Sequence, residues 1–243
     1  METSLFAVTN GFLHLSYRCT QNKDKMEEPT MSKLLVINAH PEANSTASFS
    51  LNVLDFFLKK YREHQSGEEI IEQINLYEDV VPMVDKTVLS AWRKQRNGKE
   101  LTSEEHEVTR KMDKVLQQFK SARKYIIAYP LHNFNVPSKL KDYMDNIMIA
   151  KETFKYTENG SVGLLKDGRS MVVIQGSGAI YTNNDWYTEV EFSYKYLKSM
   201  FQFLGIEDFE ILRVQGTDIL DKDEVLQKAY TEAEKSAVQL AMK

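Results

Sequence analysis

Cysteine is nearly absent: Cys19 is the single one in 243 residues. That excludes an internal disulfide and any cysteine-built metal cage, and it fits a reducing cytoplasm. Positive charge is in deficit, 31 Lys and Arg against 35 Asp and Glu, a net −4. Nucleic acid and anionic membrane surfaces are poor partners for such a chain, because phosphate recognition leaves a basic patch. No apolar stretch approaches the ~20 residues of a membrane span. There is no Gly-Lys-Ser/Thr of a P-loop and no G-x-G-x-x-G of a dinucleotide fingerprint. No internal repeat or low-complexity tract is found either.

What is present is an ordinary globular composition, 42% apolar and 27% charged. The length suffices for one sizeable α/β domain with a well-buried core. Residues 1–30 read as a poorly ordered N-terminal extension before a domain spanning 31–243. Their apolar pieces are split by Thr9-Asn10-Gly11, and Glu2 stands where a signal peptide wants positive charge. Met31 reads as a natural first residue. His14 and Cys19 have no partners at metal-ligand spacing.

The chain is organised around Met31–Phe57. Leu34–Ile37 is an apolar run of strand length, broken at Asn38-Ala39-His40-Pro41. After Asn44–Ser48, Phe49, Val53, Phe56 and Phe57 recur at helical spacing. Strand, polar turn and amphipathic helix make the first half of a βαβ unit. Hydroxyls at a helix start suit a phosphate, since free N–H groups and a partial positive charge lie there. No basic residue stands in the loop. That favours a terminal monophosphate, as in flavin mononucleotide, over a triphosphate, although for the motif taken alone a plain Ser/Thr cap is the commoner explanation.

Glu69–Leu76 reads as a polar edge strand. Tyr77–Arg96 has no clean period, and Met83, Val84, Leu89 and Trp92 suggest a lid, a partner-facing insertion or core cover. A helix opened by Thr102 or Ser103 carries Val108, Met112, Val115, Leu116 and Phe119. Tyr125–Tyr129 is a central strand running into the stiff loop Pro130–Pro137, with a helix over Ser138–Ile149. Asn159-Gly160 marks a hairpin within Thr153–Leu165. Met171–Ile174 is a strand ending in the small residues Gly176–Ala179, which let backbone approach a flat ligand. A helix over Tyr187–Leu204, with Phe192, Tyr196, Met200 and Phe203 on one stripe, stops at Gly205. A strand at Phe209–Val214 and a helix at Asp223–Met242, capped by Asp221 or Asp223, close the chain.

The alternation predicts a flavodoxin-like α/β three-layer sandwich: a five-stranded parallel sheet of order 2-1-3-4-5 with helices on both faces. Three special turns then meet at the carboxyl ends of neighbouring strands, which favours a bound flavin.

Residues 31–243 resemble the FMN-dependent NADH:quinone oxidoreductases, or azoreductases, through SKLLVINAHP…STAS, the P-x-x-NFN-x-P loop at Pro130–Pro137, FKYTENG at Phe154–Gly160, and FLGI at Phe203–Ile206. The resemblance implies FMN, NADH as donor, quinone and aromatic azo acceptors reduced in ping-pong fashion, and a homodimer with its active site at the interface. By position it implies that His40, Thr46, Ala47 and Ser48 hold the phosphate side. Leu131, His132, Asn133 and Phe134 would run along the isoalloxazine, Gly176, Ser177, Gly178 and Ala179 clasp the ring, and Tyr156, Phe203 and Asn133 line the substrate pocket. Some members have Tyr at the place of His132, and some have Ser-Arg-Gly-Gly at 176–179. No catalytic residue beyond the flavin is expected, and His132 reads as a packing or ring contact. Phe134, Tyr143 and Met144 would surround the mouth of the site. The competing readings are a flavodoxin-like electron carrier, which would be smaller and more acidic, and a non-catalytic flavin-binding stress protein.

Overall fold

The computed structural model describes residues 33–243; the calls on residues 1–30 fall outside them. Its strands are β1 (Lys33–Asn38), β2 (Ile70–Asn75), β3 (Lys124–Pro130), β4 (Phe154–Thr157), β5 (Gly160–Gly163), β6 (Ser170–Ser177) and β7 (Asp208–Gln215). Its helices are α1 (Phe49–His64), α2 (Lys86–Arg96), α3 (Ser103–Ser121), α4 (Ser138–Ile147), α5 (Trp186–Val190), α6 (Phe192–Leu204) and α7 (Lys222–Ala241). Five strands form one parallel sheet in the order β2-β1-β3-β6-β7. With the separate β4–β5 hairpin set aside, this is the expected 2-1-3-4-5.

Alternation along the central strands sorts the core into two layers. Leu34, Val36, Ile126, Ala128, Val172 and Ile174 pack with α1 and α7 on one face. Leu35, Ile37, Tyr125, Ile127, Met171 and Val173 pack with α3, α4 and α6 on the other. A strand buried on both faces must be apolar throughout, and β1, β3 and β6 are nearly so. β2 has a partner on one side only and is accordingly half-exposed.

Helix ends follow local chemistry. Thr102 and Glu105 form a reciprocal capping box on α3. Asp221 caps α7 by accepting from the Asp223 and Glu224 amides. Gly205 ends α6 at φ 104°, a left-handed conformation that glycine takes without penalty. The Asn159-Gly160 hairpin forms as read, with Gly160 at φ 110°.

Four readings are corrected. The 77–96 segment contains α2, capped by Asp85; it buries only Val88 and Ala91, too narrow a face to show a period. The helix over Tyr187–Leu204 is two helices broken at Glu191, whose carboxylate accepts from the Tyr194 amide at 2.9 Å and restarts the turn. The buried stripe of α6 is Ser193, Leu197, Phe201 and Leu204, whereas Phe192 is exposed and Tyr196, Met200 and Phe203 are half-buried shoulders. Finally, α4 ends at Ile147, two residues short of the expected Ile149, and its Tyr143 and Met144 are fully buried in the core, not at a mouth.

Candidate cofactor site

The carboxyl ends of β1, β3 and β6 lie side by side, so the loops after them converge. The first turns tightly because the Asn38 side chain bridges it: Nδ2 donates to the Ala43 carbonyl at 3.0 Å, and Oδ1 accepts from the His40 amide at 3.0 Å. His40 Nδ1 lies 2.8 Å from the Glu42 carbonyl and 3.0 Å from the Glu42 amide, which leaves Nε2 as the nitrogen free for a ligand. Ser48 caps α1, its Oγ accepting from the Leu51 amide at 3.3 Å and lying 3.1 Å from Ser50 Oγ. Its carbonyl accepts from the Asn52 amide at 3.0 Å. The amides of Phe49 and Ser50 have no intrahelical acceptor and point out of the helix end.

A cavity of about 210 Å³ opens there, lined by His40, Ala47, Ser48, Leu131, Gly176, Ser177 and Gly178 of the expected residues. Ser50, Thr217, Phe49 and Pro130 line it too and went unread. Ser50 hides inside the helix and Thr217 follows β7, where no motif marks it. Gly176 lies close under the start of α1: a Cβ there would stand 3.2 Å from Ser50 Cβ, so Ser50 would have to give by a few tenths of an ångström. Thr46 is exposed in the first loop and Ala179 half-buried beyond Gly178; neither lines the cavity.

Along the open side runs the 130–137 loop. The amides and carbonyls of His132 and Asn135 exchange hydrogen bonds at 2.9 Å, closing a two-residue turn with Asn133 at φ 46° and Phe134 at φ 66°. Both central residues are left-handed, the signature of a type I′ turn. Asn tolerates that readily, but Phe does not, so the position is strained and held from outside. What holds it is visible: the Phe134 carbonyl accepts from the Phe192 amide at 2.9 Å, and its ring meets Tyr181 and Trp186 edge-on at 6.4 and 5.4 Å. Trp186 and Tyr187 stack edgewise in turn and are largely exposed. This aromatic wall was hidden by reading 187–204 as one core helix.

Beneath the cavity lies a buried polar layer. Gln175 Nε2 is 3.0 Å from Glu191 Oε1, 2.8 Å from Ser193 Oγ and 3.3 Å from Tyr129 Oη. Burial raises the Tyr129 hydroxyl well above its ordinary value, so it stays a neutral donor. The layer fixes β6 against α6 just below Gly176.

Tyr156 and Phe203 are not brought to this cavity. Tyr156 sits on β4, 76% exposed, with Phe154 between it and Phe203 at ring distances of 5.5 and 5.1 Å. Phe203 is at the carboxyl end of α6, whose amino end touches Phe134. Thirteen helical residues place those two ends about 20 Å apart. The hairpin is fastened at that far end: the Leu165 amide donates to the Leu204 carbonyl at 2.9 Å, and Gly163 lies flat on the same backbone.

A parallel α/β sheet with its cavity at the strand ends beside a helix N-terminus defines a nucleotide-binding sandwich. The model of a flavodoxin-like fold matches residues 32–237. An FMN-dependent NADH:quinone oxidoreductase 1 of Bacillus anthracis is 68% identical over 213 residues, 88% of this chain and 97% of that protein. One from Lactiplantibacillus plantarum is 44% identical over 76% of this chain and 87% of its own. The crystal structure of an FMN-dependent NADH-azoreductase from Bacillus anthracis in complex with FMN superposes with a TM-score of 0.86, at 68% identity, covering 87% of this chain and all of that one. The protein belongs to this flavodoxin-like family of FMN-dependent NADH:quinone oxidoreductases.

Proposed function

We propose that the chain is an FMN-dependent oxidoreductase carrying two electrons from NADH to quinones and aromatic azo compounds by a ping-pong cycle. The observation that carries this reading is the cavity itself. It offers hydroxyls, outward amides and His40, with no Lys or Arg, at the start of α1. Amide dipoles and hydroxyls hold a monophosphate without the cations a triphosphate requires. When bound, FMN supplies the two-electron exchange between NADH and the acceptor, each in turn at the same ring face.

The residues supply position and exclusion of water. Ser48, Ser50 and Thr217 offer hydroxyls to the phosphate and its sugar chain. Leu131 and the Asn133–Phe134 turn give the ring a flat bed, braced by Trp186 and Tyr181. With FMN bound, backbone N–H groups of that loop and of Gly178 would stabilise negative charge on the reduced ring. His132, exposed on the turn, is bound there through its backbone and needs no acid–base role.

A homodimer completes the reading. No residue of the β4–β5 hairpin lines the cavity, and Tyr156 on that hairpin is 76% exposed. A two-fold partner brings its own Tyr156 and Phe203 over the first chain's ring, closing both sites together. No described helix is long and apolar enough to cross a membrane, and a reducing cytoplasm suits the electron donor. Steady-state NADH oxidation with menadione, on FMN-loaded protein, tests the proposal: parallel double-reciprocal lines support it, and binding of FMN without turnover refutes it.

A further inference from the structure

Glu191 does not line the cofactor cavity, and its side chain is almost wholly buried. Burying a carboxylate is unfavourable unless several donors meet it. Its Oε1 accepts from the Tyr194 amide at 2.9 Å, from Gln175 Nε2 at 3.0 Å and from Ser193 Oγ. Its Oε2 faces Arg213 Nη2 at 3.5 Å, which supplies the countercharge. Ser193 has one hydroxyl proton and gives it to this carboxylate, so its Oγ accepts from Tyr129 Oη at 2.9 Å. Tyr129 stands at the end of β3, at the root of the 130–137 loop, and Gln175 stands just before Gly176. The carboxylate is thereby tied to the roots of two loops that meet at the cavity.

The same residue is the joint of the aromatic wall. Glu191 follows α5 directly and is the N-cap of α6. From α5, Trp186 packs edge-on against the Phe134 ring at 5.4 Å. From α6, the Phe192 amide donates to the Phe134 carbonyl at 2.9 Å. Both contacts on the strained Phe134 therefore hang on the residue that joins the two helices.

We propose that Glu191 is a positioning residue for the electron transfer. Anchored at the loop roots, it fixes the α5–α6 joint, and through Trp186 and Phe192 it holds the Asn133–Phe134 turn that beds the flavin ring. This rests on the flavin reading above. Glutamine cannot replace it, since its NH2 would point a donor at donors whichever way it turned. His40, Ser48 and Ser50 hold the phosphate side from other elements, so Glu191 acts on the placement of the ring more than on retention of the cofactor. A displaced ring slows transfer by roughly ten- to a hundredfold.

Stopped-flow reduction of the FMN-loaded protein by saturating NADH tests this. Glu191→Gln should slow it at least about tenfold, while the FMN dissociation constant moves less than about threefold. Phe134→Gly puts glycine after Asn133, the pair that a type I′ turn favours. In that background the turn holds itself, and Glu191→Gln should cost less than about threefold. The same penalty in both backgrounds, a rate within about twofold of wild type, or an FMN affinity that falls as much as the rate would each overturn the proposal. Should Glu191→Gln fail to fold, Ser193→Ala cuts only the tie to Tyr129 and carries the same comparison; it should slow reduction roughly threefold, and no slowing would overturn the tie. A second measurement needs no turnover. With fluorotryptophan incorporated in the full chain, the resonance of residue 186, assigned by its loss in Trp186→Phe, should move in Glu191→Gln. An unmoved resonance would overturn the hold on α5. Wild-type protein that NADH never reduces would instead overturn the flavin reading, and the resonance would still decide the hold.

Discussion

Gly178 runs so close to Asp218 that a Cβ on residue 178 would stand 2.1 Å from the aspartate Oδ2 and 2.8 Å from its Cγ. The Asp218 amide also donates to the Gly178 carbonyl at 3.2 Å. The loops after β6 and β7 are thus pressed together at the rim of the candidate cofactor cavity, with only a glycine between them. Gly178→Ala should push Asp218 aside and weaken FMN binding roughly tenfold, the cost of modest overpacking. Adding Asp218→Gly should restore most of it. A double variant no better than the single one would mean that the backbone conformation, not the carboxylate, excludes Ala; flavin fluorescence titration decides.

Ser48→Glu places a carboxylate where α1 begins. Charge repulsion and the lost cap should cost FMN about 2 kcal/mol or more, because charge-assisted hydrogen bonds at a desolvated site are affected. Riboflavin, without the phosphate, should lose much less. Equal losses measured by fluorescence quenching would place the phosphate elsewhere.

Tyr156 and Phe203 act in trans in the proposed dimer, and a mixing experiment reads this directly. Ser48→Glu chains lack cofactor, and Tyr156→Ala/Phe203→Ala chains lack the aromatic cover. Each alone should be nearly inactive in menadione reduction. Equal mixtures after subunit exchange should recover about a quarter of wild-type activity, from the one good site in each mixed dimer. No recovery with proven exchange would refute the shared site.

Glu105 joins α2 to α3: Ser90 Oγ, Lys94 Nζ and the Thr102 amide each donate to it at 2.7 Å. Lys94 first, then Thr102, hold its carboxyl down to about 2 from an ordinary 4.5. A lowered native value means the contribution is full above about 4.5 and disappears as pH falls toward 2. Glu105→Gln should therefore lower the thermal midpoint at pH 7, with the gap to wild type closing in acid. A gap that persists unchanged at pH 2.5 would show that packing, not charge, is at stake.

Gly163 carries the hairpin against α6, where a Cβ would meet the Leu204 carbonyl carbon at 2.2 Å. Backbone cannot step aside as a side chain can, so Gly163→Ala should destabilise the domain by about 3 kcal/mol, the upper end of overpacking. Denaturant unfolding measures it, and a loss below roughly 1 kcal/mol would mean that the hairpin floats free.

The sheet order was legible because it depends on local signals: apolar runs of strand length, their chirally constrained connections, and turn residues at strand ends. The loops at His40, Leu131 and Gly176 were legible for the same reason, each following such a run. Amphipathic pattern alone misplaced α6, because Phe192, Tyr196 and Phe203 share a stripe as apolar as the one actually buried; the restart at Glu191 depends on its hydrogen bonds to Gln175 and Ser193, made across the fold. It also missed α2, whose burial amounts to two residues, and it left Tyr143 and Met144 on the wrong side of α4. Sequence by itself determined the family, the sandwich and the loops that meet at its strand ends. Only the tertiary structure decided that Ser50 and Thr217 enter the cavity and that Trp186 braces a strained Phe134. It alone set Phe203 at the far end of α6 and kept Tyr156 out of the cavity lining. Those are contacts between residues distant in the chain, set by how packed layers meet, and no local propensity encodes them.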